Sequence, residues 1–251
     1  MKQYSLGLCS VSFRKHTPLE ILSEMQKASL QIIEWGSDIH APADNEKALS
    51  DLVKLQQEYG VTCSSYGTYF RIGITPAEEL STYIHAAKIL GTKTLRLWAG
   101  NKDSRDFDGE EKEAFFKECR LLAELAEAEG VKLCMECHNK TYTDFYQSAL
   151  ELMQKVNSDH FRMYWQPNQF REDDENVTAA KLLSPYTENI HIFHWQGKEK
   201  LPLSEGKEIW KAYLSHFSGK ETLLLEFMPD GKLSSLKREA DAARKILEEL
   251  Q

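Results

Sequence analysis

The sequence reads TLRLW at 94–98, GEEKEAFFKECRLLAELAEAE at 109–129 and KLCMEC at 132–137. The first and last segments are short and mostly apolar, as expected of buried parallel strands, whereas the middle segment repeats its apolar residues at helical spacing. Gly130 follows the middle segment, where a helix is expected to end. One such strand, helix and strand unit indicates parallel strands joined by a helical crossover.

The same alternation runs along the whole chain. It gives eight strand candidates, at 5–12, 32–35, 62–66, 94–98, 132–137, 162–166, 189–193 and 222–227. The helical segments between them are 17–29, 45–59, 76–90, 109–129, 143–157, 176–183, 203–217 and 233–250. Eight such units predict the α/β class and a closed (β/α)₈ TIM barrel, as one domain over 1–251. An open doubly wound sheet is less favoured, because no G-x-G-x-x-G loop follows the first strand.

Composition narrows the classes of function. The chain has 251 residues, of which 41% are hydrophobic, and its formal net charge is −8. That acidic balance disfavours a broad grip on nucleic acid or on an anionic membrane. No signal-peptide pattern and no apolar run of about 18 to 20 residues is present, so we expect a cytoplasmic protein. The five cysteines, including Cys134 and Cys137 in one strand candidate, are expected to be reduced core thiols.

One carboxylate interrupts the apolar segment 132–137. Side chains alternate between the two faces of a strand, so Glu136 shares its direction with Cys134 and His138. The residues between them are apolar and are expected to face the helices. Glu136 and His138 are therefore predicted to point into the mouth of the barrel.

The last strand repeats this arrangement. Glu226 shares its direction with Leu224 and Met228, and the outward set is expected to be Leu223, Leu225 and Phe227. An unpaired buried carboxylate is costly, so Glu136 and Glu226 each need a cation, a metal or a network of hydrogen bonds. Ordinary salt bridges remain an alternative explanation for both.

Other polar and aromatic residues fall at strand ends. We expect Arg96 to point inward, where it either pairs with an acid or binds an anionic ligand. His191 lies within the seventh strand and His194 at its end, and either could instead be a packed structural histidine. Tyr66, Tyr69 and Phe70 could stack on a sugar ring or pack within their loop, and His40 places an imidazole at the same face of the barrel.

Four short motifs together resemble the xylose-isomerase-like barrels grouped as sugar phosphate isomerases/epimerases, a superfamily that also includes endonuclease IV. They are Glu-Trp-Gly-Ser-Asp-Ile-His at 34–40, Met-Glu-Cys-His-Asn at 135–139, His-Ile-Phe-His-Trp at 191–195 and Leu-Glu-Phe at 225–227. Their order and their positions at strand ends extend the resemblance over nearly the whole chain.

The resemblance implies a divalent metal, Mn²⁺, Mg²⁺ or Zn²⁺, held by Glu136, Gln166, His191 and Glu226. Many relatives have an aspartate in the sixth strand where this chain has Gln166. The neutral amide lowers the ligand charge from −3 to −2, so metal affinity is expected to fall and a metal-free site becomes an alternative.

The chemistry that the resemblance implies is isomerisation or epimerisation of a sugar or sugar derivative, by proton abstraction next to a carbonyl. Glu136 and Glu226 would be the acid/base pair. The residues expected to orient the carbohydrate substrate are His40, Tyr66, Arg96, His138, Gln169 and His194.

Other functions fit the same sequence. A dehydratase (lyase) acting on a polyol-derived ketone or a dehydroshikimate-like acid would share the first step. A non-catalytic sugar-binding barrel could have lost its metal through Gln166 and Gln169. Endonuclease activity is disfavoured by the acidic composition. The partner is expected to be a small molecule, with no nucleic acid and no membrane, and homo-oligomer formation is left open.

Overall fold

A computed structural model describes residues 2–250 of the chain and shows a closed barrel of eight parallel strands. Chain neighbours pair in sequence around the barrel, and the last strand closes it against the first. The barrel strands are β1 (Ser5–Cys9), β2 (Ile32–Gly36), β3 (Thr62–Arg71), β4 (Thr94–Trp98), β5 (Lys132–Glu136), β6 (Phe161–Trp165), β7 (Thr187–Ile192) and β10 (Thr222–Leu225). The predicted TIM barrel is confirmed.

In the described part of the chain, eight α-helices surround the barrel. They are α1 (Pro18–Lys27), α2 (Glu46–Tyr59), α3 (Leu80–Leu90), α4 (Gly109–Glu129), α5 (Tyr146–Val156), α6 (Asp173–Leu183), α7 (Lys207–Ser215) and α8 (Leu236–Glu248). The Thr17 hydroxyl accepts from the backbone N–H of Glu20, whose carboxylate in turn accepts from the backbone N–H of Thr17. This capping box fixes the start of α1. The glycine after α4 ends that helix in a left-handed conformation, with φ 67° at Gly130.

The alternation of side chains along the strands separates two apolar regions. Leu133 and Met135 of β5 belong to the large core between sheet and helices. A small inner cluster fills the barrel itself, made of Cys9, Val11, Cys134, Tyr164 and Leu224. The inward and outward residues predicted for the fifth strand are thus confirmed, and Glu136 lies just above the inner cluster at the carboxyl ends of the strands.

The first and seventh strand segments differ from the predicted pattern. The first strand ends at Cys9, and Ser10–Phe13 form a 3₁₀ turn instead of continuing it. After β7 the chain forms an antiparallel hairpin outside the barrel, β8 (His194–Gln196) and β9 (Glu199–Leu201), which the sequence pattern did not predict. This hairpin occupies the carboxyl side of the barrel, where the loops form the site.

The end of the last strand corrects a second expectation. Phe227 was expected to face the helices and Met228 the interior. Instead, Phe227 has φ 54° and lines the cavity at the barrel mouth, and Met228 joins the outer core. The strand ends at Leu225, so alternation no longer applies beyond it, and the left-handed backbone at Phe227 turns its ring inward.

The cysteines agree with the sequence-based expectation of reduced thiols. All five cysteines are free thiols, and Cys9, Cys63, Cys119 and Cys134 are buried. Within residues 2–250, no helix combines the length and apolar character needed to cross a membrane.

Candidate active site

The two carboxylate oxygens of Glu136 have different contacts. Its Oε2 accepts from Arg96 Nη1 and from Trp98 Nε1, and its Oε1 lies 3.4 Å from His191 Nδ1. Burial alone would raise the pKa of Glu136, but the charges of Arg96 and His191 outweigh it and hold that pKa well below its ordinary value. Glu136 is therefore a fixed anion with one oxygen left to face the centre of the site.

Glu226 is the contrasting carboxylate. It is 6% exposed, and no hydrogen bond to its side chain occurs within residues 2–250. Its nearest cation is His191, with Nδ1 3.6 Å from Oε2. Burial raises the pKa of Glu226, and the negative charge of Glu136 adds to the effect, which the His191 charge only partly offsets. Glu226 is thus the carboxylate better able to take up a proton.

His191 lies beneath both glutamates and is fully buried. Its Nδ1 is 3.0 Å from Oε1 of Gln166, whose Nε2 donates to the Cys137 carbonyl at 2.9 Å. That donation fixes which end of the Gln166 amide faces the site. Burial opposes a charged ring, yet the carboxylates of Glu226 and Glu136 outweigh it and raise the pKa of His191 well above its ordinary value.

These groups fit a divalent cation. Ligand atoms from Glu136, His191 and Glu226 all lie within 4.8 Å of one another. Ligand atoms that each lie about 2.0 to 2.6 Å from one ion are separated from one another by distances of this order. Gln166 Oε1 adds a fourth atom on the same side of the ring, and the set of one imidazole and three oxygens suits zinc, manganese or magnesium. The four residues of the expected metal site are therefore brought together.

A cavity of about 250 Å³ opens above this group. Of the predicted site residues, Arg96, Glu136, His138, Gln166, Gln169 and Glu226 line it. The other lining residues are Val11, Arg14, Tyr69, Trp98, Cys137, Asn139, Thr143, Asp144, Pro167, Asn168, Phe193, Trp195 and Phe227. Aromatic side chains alternating with amides and charged groups suit a small polyhydroxylated molecule.

Three expected substrate-binding residues do not line this cavity. The His40 ring nitrogens lie 3.1 Å from Ser10 Oγ and 3.1 Å from the His16 carbonyl, so His40 anchors a loop instead. Tyr66 is fully buried, and its hydroxyl donates to the Ala41 carbonyl at 2.6 Å. His194, on the hairpin, lines a separate neighbouring cavity.

The third strand explains why Tyr69 lines the cavity, whereas Tyr66 and Phe70 do not. β3 continues to Arg71 and its pairing with β4 shifts register after Gly67, so the strand reaches further toward the mouth than predicted. Tyr69 lies on that extension and lines the cavity. The sequence does not predict this extension of the strand, because the pattern of residues 67–71 is equally compatible with a loop.

The role of Glu34 was also missed. It is fully buried in β2, with Oε1 3.0 Å from Arg96 Nε, so Arg96 bridges Glu34 and Glu136. The inward direction of Arg96 was predicted and is confirmed. Its two partners could not be identified from the sequence, because the strands that carry them are set by closure of the barrel.

A closed barrel with acids and an imidazole at the carboxyl ends of its strands belongs to the broad class of (β/α)₈ barrels whose sites lie at that face. The family model described as xylose isomerase-like TIM barrel matches residues 22–250. The chain belongs to this family.

Comparison with curated proteins finds similarity to a 3-dehydroshikimate dehydratase of Bacillus anthracis. The two are 25% identical over 122 residues, which are 48% of this chain and 44% of that protein. The matched region is therefore less than half of the relative's length.

Solved structures share the fold over nearly the whole chain. A probable 3-DHS dehydratase, AsbF from Bacillus anthracis, has a TM-score of 0.81 at 18% identity and covers 96% of this chain and 98% of its own. An L-ribulose 3-epimerase has a TM-score of 0.76 at 16% identity, covering 99% and 97%. The IOLI protein with a bound zinc atom has a TM-score of 0.74 at 16% identity, covering 98% and 97%. The same barrel is thus shared by epimerases and dehydratases.

Proposed function

We propose that this protein is a metal-assisted enzyme that removes a carbon-bound proton next to the carbonyl of a small polyhydroxylated substrate, leading to its isomerisation or epimerisation. The observation that carries this proposal is the pair of unlike carboxylates around His191. Glu136 is held by Arg96 and Trp98, whereas Glu226 accepts no hydrogen bond within the described chain and borders the cavity.

The residues that would hold the ion are Glu136, Gln166, His191 and Glu226. When bound, a divalent ion supplies a Lewis acid that polarises the substrate's carbonyl and hydroxyl oxygens. Gln166 contributes an oxygen without a charge, so the protein supplies two negative charges to the ion.

Proton transfer is assigned mainly to Glu226. Glu226 borders the cavity and its side chain accepts no hydrogen bond from the described residues, which suits a group that takes a proton from carbon. Glu136 remains charged because Arg96 and Trp98 stabilise its anion, so it orients the site and takes part in proton transfer through its free Oε1. Such positioned acid/base groups typically contribute about 10² to 10⁴ in rate.

The walls of the cavity would position the substrate. Trp98, Tyr69 and Trp195 provide flat apolar faces that pack against the carbon skeleton of a sugar. His138, which packs against Trp98 with ring centroids 5.2 Å apart, and Gln169 provide polar atoms toward hydroxyl groups. Delivery of a proton to the opposite face of the same carbon, by the other glutamate, gives an epimer, and delivery to the neighbouring carbon gives an isomer.

A dehydratase is the second candidate. Sequence similarity and a TM-score of 0.81 both relate this chain to 3-dehydroshikimate dehydratases. The first step is the same, and the adjacent hydroxyl group then takes up a proton and leaves as water, instead of the proton being returned to carbon. The geometry of a single unhindered carboxylate, Glu226, is compatible with either outcome.

The test is proton exchange in heavy water. The purified protein, with Mn²⁺, Mg²⁺ or Zn²⁺ added, is incubated with ketoses, keto-inositols and 3-dehydroshikimate, and the products are followed by NMR. Deuterium incorporation with retention of all oxygens supports the epimerase, and loss of water supports the dehydratase. Binding of a sugar without exchange or product would contradict an enzymatic role and would favour a sugar-binding barrel.

Variants connect the chemistry to the two glutamates. Glu226→Gln and Glu136→Gln should each lower turnover by at least about 10². Glu239→Gln is the matched control, because Glu239 is a 3% exposed carboxylate remote from the cavity lining, accepting from the Leu203 N–H at 2.8 Å. Turnover that survives both active-site substitutions unchanged would overturn the proposal.

A further inference from the structure

The strand motif that begins at Glu34 contributes a carboxylate that the proposed reaction does not use directly. Glu34 is fully buried and does not line the substrate cavity. Its Oε1 accepts from Arg96 Nε at 3.0 Å and from Cys9 Sγ at 3.1 Å, and its Oε2 accepts from Ser65 Oγ at 3.1 Å. Three side chains thus hold this one carboxylate in place directly under the site.

Space for this carboxylate is built into the neighbouring strand. A Cβ at Gly67 would lie 2.6 Å from Glu34 Oε1 and 2.7 Å from Arg96 Nη2. Any larger residue would therefore displace the ion pair. The absence of a side chain at Gly67 is what allows Glu34 and Arg96 to meet inside the barrel.

The ring of His191 lies between two sets of oxygens. On one edge, Nδ1 faces Gln166 at 3.0 Å, Glu136 at 3.4 Å and Glu226 at 3.6 Å. On the other edge, Nε2 is buried without a hydrogen-bond partner among the described residues, and the nearest carboxylate oxygen recorded is Glu34 Oε2 at 3.6 Å. A neutral imidazole can bind a cation only through the nitrogen that lacks a proton.

We propose that Glu34 is a positioning residue for His191: it attracts the N–H at Nε2 and so presents an unprotonated Nδ1 to the ion. The inference rests on the metal-assisted function proposed above. The 3.6 Å separation must shorten by about 0.5 Å to enter the range of a hydrogen bond. Such a carboxylate–histidine–metal triad is common in metal sites, and its outer carboxylate fixes the tautomer and the orientation of the imidazole ring.

A second ion between Cys9, Glu34 and His191 is the competing explanation for this group, since their ligand atoms also lie within 4.8 Å of one another. The hydrogen bonds of Glu34 argue against it. Its Oε1 already accepts from Arg96 Nε and from Cys9 Sγ, and its Oε2 accepts from Ser65 Oγ, so neither oxygen is left free, whereas Glu136 keeps its Oε1 unoccupied. Glu34 therefore acts on the ion through His191.

The experiment measures Mn²⁺ affinity by calorimetry on the full chain. Glu34→Gln should weaken binding by about 10- to 100-fold, the usual cost of losing an outer carboxylate of a metal-bound histidine. Glu239→Gln, the buried carboxylate remote from the cavity, should bind Mn²⁺ as the wild type does, even if both variants melt earlier. Equal affinities for Glu34→Gln and Glu239→Gln would overturn the proposal.

A second variant guards against loss of folding. Glu34→Asp keeps the charge that Arg96 requires and withdraws the carboxylate by about 1.5 Å, one carbon–carbon bond. It should also lose Mn²⁺ affinity, and the visible absorption bands of its Co²⁺ form should shift, since the ring changes position at the ion. Wild-type affinity and an unchanged spectrum in Glu34→Asp would overturn the proposal. If the wild type binds none of Mn²⁺, Mg²⁺ and Zn²⁺, that result would instead refute the proposed metal site itself.

Discussion

At the scale of single residues, the site depends on which oxygens are already occupied. Arg96 and Trp98 both donate to one oxygen of Glu136, and the Gln166 side-chain N–H donates to the Cys137 carbonyl. What remains facing His191 Nδ1 is one oxygen from each of Glu136, Gln166 and Glu226. The two glutamates look equivalent in the sequence and differ in the structure, because only one has donors.

Gln166 gives the first residue-scale prediction. Gln166→Asp adds a negative charge to the ligand set, and Mn²⁺ affinity should rise by at least about tenfold, since affinity follows ligand charge. Gln169→Asp, which adds the same charge to the cavity wall outside that set, is the control and should change affinity less. Calorimetry with both variants decides. A weaker binding of Mn²⁺ to Gln166→Asp would show that residue 166 is not a ligand.

The second prediction at this scale concerns His40 and the stability of the fold. His40→Leu leaves Ser10 Oγ and the His16 carbonyl without their ring partner, and it should lower the free energy of unfolding by about 1 to 3 kcal/mol at pH 7.5. Urea unfolding measures this. Unchanged stability would mean that the two contacts contribute nothing.

The same variant should change the pH dependence. Burial lowers the pKa of His40 below its ordinary 6.5, so the unfolded chain binds this proton more readily than the folded one. Wild-type stability therefore falls as the pH decreases below 6.5, and His40→Leu should lose less between pH 7.5 and 5.5. A steeper loss in the variant would contradict the lowered pKa.

At the scale of elements, the buried ion pair between β2 and β4 fits beside β3 because residue 67 of β3 is a glycine. Gly67→Ala in β3 places a methyl group against Glu34 and Arg96, and should destabilise the fold by about 2 to 4 kcal/mol, because a buried ion pair must move. Gly109→Ala in α4 is the control, since a Cβ there meets nothing within 4 Å. Thermal unfolding of both variants tests this, and equal melting temperatures would contradict it.

Elements also mark where sequence reasoning succeeds. Alternation along a strand is a local property, so the inward direction of Glu136 and Arg96 could be predicted. It ends where the strand ends, and the left-handed backbone of Phe227 reverses the expected direction of its ring. The hairpin 194–201 was missed because two three-residue strands outside the barrel resemble a loop.

At the scale of the whole molecule, barrel closure brings distant residues together. The metal set expected from family resemblance converges around His191. Glu34, by contrast, could not be assigned a partner, because its contacts with Arg96 and His191 join β2 to β4 and β7 and exist only in the closed barrel. Fold and cluster were therefore predictable, while the pairing inside the cluster required the structure.

The proposed function depends on one divalent ion held by Glu136, Gln166, His191 and Glu226. A crystal structure of the protein with Mn²⁺, using anomalous scattering to locate the metal, tests it most directly. We expect one ion with a ligand atom from each of the four side chains at about 2.0 to 2.6 Å. An ion bound elsewhere, or no ion at this position with Arg96 still paired to Glu136, would contradict it.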